Sequence, residues 1–211
     1  MKTTQIFNWH ELTPALLEKT AQALKQGALA ILPTDTVYGI ATGAFCEESI
    51  AEICRLKNRS QQQPLQFLMS GTERVHDIAV FSPQAEKLAQ AYWPGALTMI
   101  LPATPEGKPL LRGFNGLGIR VPAMPVLQQM LMRLEGPLAC TSANEHGKPV
   151  LTSDQDLVEL FEGKVDFIFK GGTLSPISSS VVDLTADPRL LRAGALSKEK
   201  LEQAMGCSLI A

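Results

Sequence analysis

The sequence has no stretch approaching the eighteen or so apolar residues that a membrane-spanning helix requires. Its opening residues, Met1-Lys2-Thr3-Thr4-Gln5, contain no apolar core of a secretory signal. There is no basic excess: 19 Lys and Arg stand against 21 Asp and Glu, a formal net charge of −2. Proteins that coat nucleic acid usually carry such an excess, so any RNA contact is expected to come from a local patch. Cys46, Cys54, Cys140 and Cys207 form no CxxC pair and show no metal-ligand spacing. They read as reduced, mostly buried thiols of a cytoplasmic protein. His10, His76 and His146 are scattered, with no HExxH and none beside a cysteine pair, which argues against a protein-held zinc. GxxxxGK[ST] is missing, Gly39 and Gly43 make no dinucleotide fingerprint, and no GxSxG elbow is present.

What the chain does have is the profile of a globular protein, 45% hydrophobic and 19% charged over 211 residues. At that length roughly 70% of the unfolded surface can be buried, so no staple is required. Thr13-Pro14 predicts a helix start, with threonine as cap and proline in the first turn, running to a stop at Gly27. Further helices are expected over Glu48–Lys57, from Ser82-Pro83 to Pro94, from Met124-Pro125 to about Gly136, after the Ser153/Asp156 capping box, and after Ser197. Short apolar segments predict strands at Ala28–Leu32, Leu65–Met69, Leu97–Leu101, Leu117–Val121, Leu138–Thr141, Val165–Lys170, Ser180–Leu184 and Arg189–Arg192. Pro102–Gly118 reads as a long surface loop. This alternation predicts a layered α/β fold, and without repeats or a linker one domain over 1–211 is expected.

Polar residues gather where strands end, the usual ligand edge of an open α/β sheet. Four stretches carry them: Pro33-Thr34-Asp35-Thr36-Val37-Tyr38-Gly39, Lys57-Asn58-Arg59, Thr141-Ser142-Ala143-Asn144, and Ser178-Ser179-Ser180-Val181-Val182-Asp183 with Arg189 to Gly194. Each has a bland alternative. The first and third fit ordinary turns stabilised by side-chain hydrogen bonds. Lys57 and Arg59 suit a helix C-terminus, where the dipole favours a cation by about 0.3–1 kcal/mol. The serine run fits a flexible loop, and Asp183 a cap on the turn after its strand. The functional alternative is a phosphate site, with a bidentate arginine fork and a lysine point charge.

In this order, together with Trp93-Pro94-Gly95-Ala96-Leu97-Thr98 and Ile119-Arg120-Val121-Pro122, the stretches resemble the YrdC-like family of threonylcarbamoyl-AMP synthases from about Ala28 to Gly194. The resemblance implies a single-domain twisted mixed sheet with flanking helices around a basic cavity. It implies an enzyme, a nucleotidyltransferase that forms threonylcarbamoyl-AMP and pyrophosphate from L-threonine, bicarbonate and ATP. A downstream complex would pass the product to tRNA. Carried over by motif, Lys57, Arg59, Ser142 and Asn144 would be catalytic, and with Arg192 would hold ATP. Thr36, Arg120 and Ser179 would hold threonine, the register of Ser179 within three serines being open by one residue. Mg2+ would be held mainly through phosphates. Leucine stands at 68, where many members have histidine near the threonine site, and Glu145-His146-Gly147 follows Ser-Ala-Asn where Leu-Ser-Gly is usual. The chain also ends near residue 211, short of the extra C-terminal domain of longer members. Two other readings fit the same residues: a maturation protein of this fold that binds tRNA or double-stranded RNA, and a YciO-type paralogue with a different acceptor.

Overall fold

The computed structural model describes residues 2–58, 60 and 63–210. The strands are β1 (Gln5–Asn8), β2 (Ala30–Leu32), β3 (Gly39–Gly43), β4 (Gln66–Leu68), β5 (Leu97–Leu101), β6 (Leu117–Arg120), β7 (Leu138–Ser142), β8 (Phe167–Lys170), β9 (Ser180–Asp183) and β10 (Arg189–Arg192). They join in one mixed sheet in the order β1-β8-β2-β3-β7-β4-β6-β5-β9-β10. The helices are α1 (Pro14–Lys25), α2 (Glu47–Leu56), α3 (Thr72–Ile78), α4 (Pro83–Tyr92), α5 (Pro125–Leu134), α6 (Asp154–Phe161) and α7 (Lys198–Met205). The expected mixed α/β sheet with flanking helices is what the chain forms.

Local chemistry sets the helix starts. Thr13, Ser82, Ser153 and Ser197 each accept a hydrogen bond from a backbone N–H in the first turn of the helix they precede. Pro14, Pro83 and Pro125 occupy first-turn positions, where a missing N–H costs nothing. At the other end of α1, Gly27 takes φ +97°, a left-handed conformation that suits glycine.

Strand alternation divides the core. Ala30 and Leu32 of β2, with Phe167 and Phe169 of β8, pack against Leu17, Ala21 and Leu24 of α1 and Leu127 to Leu134 of α5. Leu29 and Ile31, with Ile168, face the other way, toward Ile53 of α2 and Leu157 and Phe161 of α6. In the second half of the sheet, Phe67, Met99, Ile119, Ala139 and Val182 pack with α3, α4 and α7. Their neighbours along each strand must therefore project from the opposite face. Register carries that face across the sheet: Cys140 pairs with Gln66, Gln66 with Gly118, Gly118 with Ile100, and Ile100 with Asp183.

Two strands and one α-helix among the described residues lie outside the sequence expectations. The edge strand β1 has one partly buried residue in four and no apolar run. β3 is fully buried, but its Gly-Ile-Ala-Thr-Gly sequence is continuous with the preceding turn residues. α3 has seven residues and no capping side chain. The Pro102–Gly118 segment departs from a surface loop: it contains a turn of 3₁₀ helix at Lys108–Leu110, buries Leu110, and ends inside β6.

Two stability effects should separate by size. Leu131→Ala removes a fully buried α5 side chain and is expected to cost about 2–5 kcal/mol. Ser82→Ala removes only the α4 cap and is expected to cost about 1 kcal/mol. Urea unfolding monitored by circular dichroism measures both.

Candidate functional site

A cavity of about 460 Å³ opens on the free face of β7, β4, β6, β5 and β9. That volume lies within the range of small-molecule sites. Its floor is the register row Cys140, Gln66, Gly118, Ile100 and Asp183, and residues two places along the same strands, Ser142, Arg120, Thr98 and Val181, also line it. The walls come from the Thr34–Gly39 segment, from Phe114-Asn115-Gly116, and from Ser178, Ser179, Leu191 and Arg192.

Arg120 is the centrepiece. Its side chain is 2% exposed and its Nη2 pairs with Asp35 Oδ1 at 2.7 Å. Nη1 donates to Thr36 Oγ1 at 2.7 Å and Nε to the Gly95 carbonyl at 2.9 Å. Each nitrogen thus donates once, leaving one N–H on each terminal nitrogen for a further acceptor. The Trp93 to Thr98 motif acquires a structural meaning here: Trp93 Nε1 donates to the Leu97 carbonyl at 2.7 Å, and Gly95 supplies the Arg120 acceptor. Thr34 fastens the opposite side. Its hydroxyl donates to the Val37 carbonyl at 2.7 Å and accepts from the Thr36 N–H at 3.2 Å.

Arg192 reaches the same cavity from β10. Its Nε donates to the Ser179 carbonyl at 2.9 Å and its Nη2 to Ser179 Oγ at 3.0 Å. Burial first, and then the charge of Arg120, lower its pKa, so the two guanidinium groups sense one another. An anion between them would relieve that repulsion. Of the three consecutive serines, Ser178 and Ser179 line the cavity. Ser179 Oγ faces Thr98 Oγ1 at 2.9 Å, whereas Ser180 Oγ donates to the Leu196 carbonyl and accepts from Gly194 and Leu196. Asp183 caps its own turn, accepting from the Thr185 N–H and hydroxyl.

Lys57, Ser142 and Asn144 meet beside one end of the cavity, but of the three only Ser142 lines it. The buried Lys57 ammonium donates to the carbonyl oxygens of Ser142 and Asn144 and to Asn144 Oδ1. Ser142 Oγ donates to Asn144 Oδ1 at 2.6 Å, and the Asn144 amide donates to the Lys148 carbonyl at 2.6 Å. Lys57 is therefore behind the Ser142–Asn144 turn and not on the cavity wall. Its charge still reaches the floor, since it acts to lower the pKa of Cys140. Arg59 lies outside the described residues.

Sequence reasoning missed Asp35 as the partner of Arg120, and it missed Thr98, Gln66, Cys140 and Gly118 as floor residues. The partners are 85 residues apart, and no local pattern signals such a pair. Leu68, the position expected to carry histidine in many relatives, is fully buried among Leu127, Leu131 and Leu138, two register pairs beyond Gln66. Gly39 has its own reason. A Cβ there would lie 2.5 Å from Cys140 Sγ, so the two strands approach this closely only with glycine at that position.

The Sua5–YciO–YrdC family model, described as "Telomere recombination", matches residues 22–194. The chain belongs to that family. Its similarity to the curated threonylcarbamoyl-AMP synthase of Pyrococcus abyssi is 36% identity over 188 residues, covering 87% of this chain and 55% of the relative. P. abyssi Sua5 complexed with L-threonine has a similar structure, with a TM-score of 0.88 at 31% identity over 99% of this chain and 62% of that one. E. coli YciO, at 23% identity, shares the fold, with a TM-score of 0.85 over 95% of this chain and all of that one. The Sua5–YciO–YrdC chain described here spans about half the length of the curated P. abyssi relative. No helix among its described residues is long and apolar enough to cross a membrane.

Cys140 gives this site a pH signature. Burial pushes its thiol from the ordinary 9.0 up to about 12, against the charges of Arg120 and Lys57. A pKa raised by folding contributes stability that is intact below the unfolded value and is lost as pH climbs through the folded one. Wild type is therefore expected to lose unfolding free energy more steeply than Cys140→Ala between about pH 9 and pH 11. Urea titrations across that range compare the two slopes.

Proposed function

We propose that the chain makes threonylcarbamoyl-AMP and pyrophosphate from L-threonine, bicarbonate and ATP, with residues 1–211 acting as one YrdC-like unit in the cytoplasm. The observation that carries this reading is the pair of guanidinium groups, Arg120 and Arg192, facing one cavity that is rimmed by the hydroxyls of Thr34, Thr36, Ser142 and Ser179. Family membership and the named relatives support it.

In this reading the carboxylate of threonine takes the Arg120 fork beside Thr36 and Ser179. The triphosphate lies along Arg192, Ser142 and Asn144, with Arg59 completing the clamp. Lys57 acts from behind, fixing the turn and adding positive potential. The threonine amine, having shed a proton, attacks bicarbonate carbon and water leaves. An oxygen of the resulting carbamate then attacks the α-phosphorus as the bond to pyrophosphate breaks. No protein nucleophile is required, so positioning and fixed charge supply the catalysis. Magnesium would come with the triphosphate, held by phosphate oxygens and water. Among the described residues no group of three or more His, Cys, Asp or Glu gathers, and Oδ1 of Asp183, the carboxylate on the cavity floor, is already bonded to Thr185. The product would pass to a tRNA-modifying complex.

Pyrophosphate release should require both threonine and bicarbonate and should vanish in Arg59→Ala. Release without threonine, or unchanged in that variant, would refute the substrate assignment. A second outcome concerns space. A Cβ at Gly118 has its nearest atoms at 3.9 Å and projects into the cavity. Gly118→Val is expected to melt within a few degrees of wild type, since replacing a strand glycine gains about 0.5–1 kcal/mol. Its affinity for threonine and ATP should fall at least about tenfold, a loss typical of one steric or hydrogen-bond defect. Thermal melts and calorimetric titration check the two halves.

A further inference from the structure

Gln66 has no part in the reaction as set out above, yet it occupies the middle of the cavity floor. β4 lies between β7 and β6, so Gln66 sits in register between Cys140 and Gly118. Ser142 is two residues on from the first and Arg120 two residues on from the second. The side chain thus stands between the turn proposed for phosphate and the fork proposed for the amino acid.

Its amide is oriented by a chain of hydrogen bonds that can run in one direction. Arg192 Nη2 meets Ser179 Oγ at 3.0 Å, Ser179 Oγ meets Thr98 Oγ1 at 2.9 Å, and Thr98 Oγ1 meets Gln66 Oε1 at 3.0 Å. A guanidinium only donates, so Ser179 accepts from Arg192. Ser179 then donates to Thr98, and Thr98 donates to Gln66. With Thr98 reversed, the Ser179 proton would have no acceptor in the chain. Oε1 is therefore committed, and the NH2 group turns the other way. Cys140 is its register neighbour, and the Gln66 side chain acts to lower the pKa of that thiol. A thiol is a weak acceptor, and the neighbouring Gly118 adds no side chain to the floor beside Gln66.

We propose that Gln66 Nε2 is a further binding residue, donating to an oxygen of the carbamate that bicarbonate contributes. The inference deepens the reading above and rests on it. With threonine at Arg120 and the triphosphate at Ser142, the carbamate that joins them lies over β4. A neutral donor suits the task, because it holds the carboxylate oxygen without the strong pairing that would blunt its attack on phosphorus.

The test uses the full chain as wild type, Gln66→Leu and Gln66→Glu. Pyrophosphate release is followed with bicarbonate varied at saturating threonine and ATP, and threonine Kd is measured calorimetrically without bicarbonate. The KM for bicarbonate is expected to rise about 10- to 100-fold in both variants, the cost of one hydrogen bond to a charged group. Gln66→Glu should show the larger effect, since it places like charge against the carbamate. Threonine Kd should stay within about threefold of wild type in both variants. An unchanged bicarbonate KM, or a threonine Kd that rises in step with it, would overturn the assignment while leaving the reaction intact. A wild type that releases pyrophosphate without bicarbonate would remove the proposed function, and this inference with it.

Discussion

The site depends on keeping one guanidinium charged inside the protein. Arg120 is the largest side chain among the described residues to be fully withdrawn from solvent. An unpaired buried charge is costly, and removing one partner from such a pair typically costs about 3–5 kcal/mol. The fold meets this demand from two distant segments at once. Asp35 and Thr36 arrive from the β2–β3 connection, and Gly95 arrives from the turn before β5. Holding Arg120 therefore holds those segments in mutual register, and the cavity is the space that remains between them. Pre-organisation of this kind means that the positive charge is in place before an anion enters.

A second consequence follows from the sheet. Between β7 and β9 one face packs Phe67, Met99, Ile119 and Val182 against helices, and the other carries the cavity floor. Alternation along a strand thus gives a rigid backing to each floor residue. Side chains mounted on strands are held more tightly than side chains on loops, which matters where a fraction of an ångström decides alignment. The loops contribute walls and the Ser142–Asn144 turn, and Lys57 anchors that turn from a different element.

Much of the fold was legible because its punctuation is local. Thr13-Pro14, Ser82-Pro83 and the Ser153/Asp156 pair announce helix starts through bonds that close within one turn. β5, with Thr98 set among Leu97, Met99, Ile100 and Leu101, is apolar enough to be read as a strand. β1 was not legible, because an exposed edge strand needs no apolar pattern. β3 was not, because glycine at both ends resembles a turn. The site divides the same way. The polar clusters at strand ends held the cavity residues Thr36, Ser142, Ser179 and Arg192, and the family resemblance added Arg120. The sequence was silent about Asp35, about Gln66 as part of a directed chain, and about Lys57 turning behind the turn, since each depends on a partner far along the chain.

Gly39 lies close against the sulfur of Cys140 on the neighbouring strand β7. Because sulfur occupies the room a methyl at 39 would need, a side chain there requires a smaller residue at 140. Change at 39 is thereby tied to a prior change at 140, and a lone substitution at residue 39 would wedge open the junction from which both the Thr36 wall and the Ser142 turn depart.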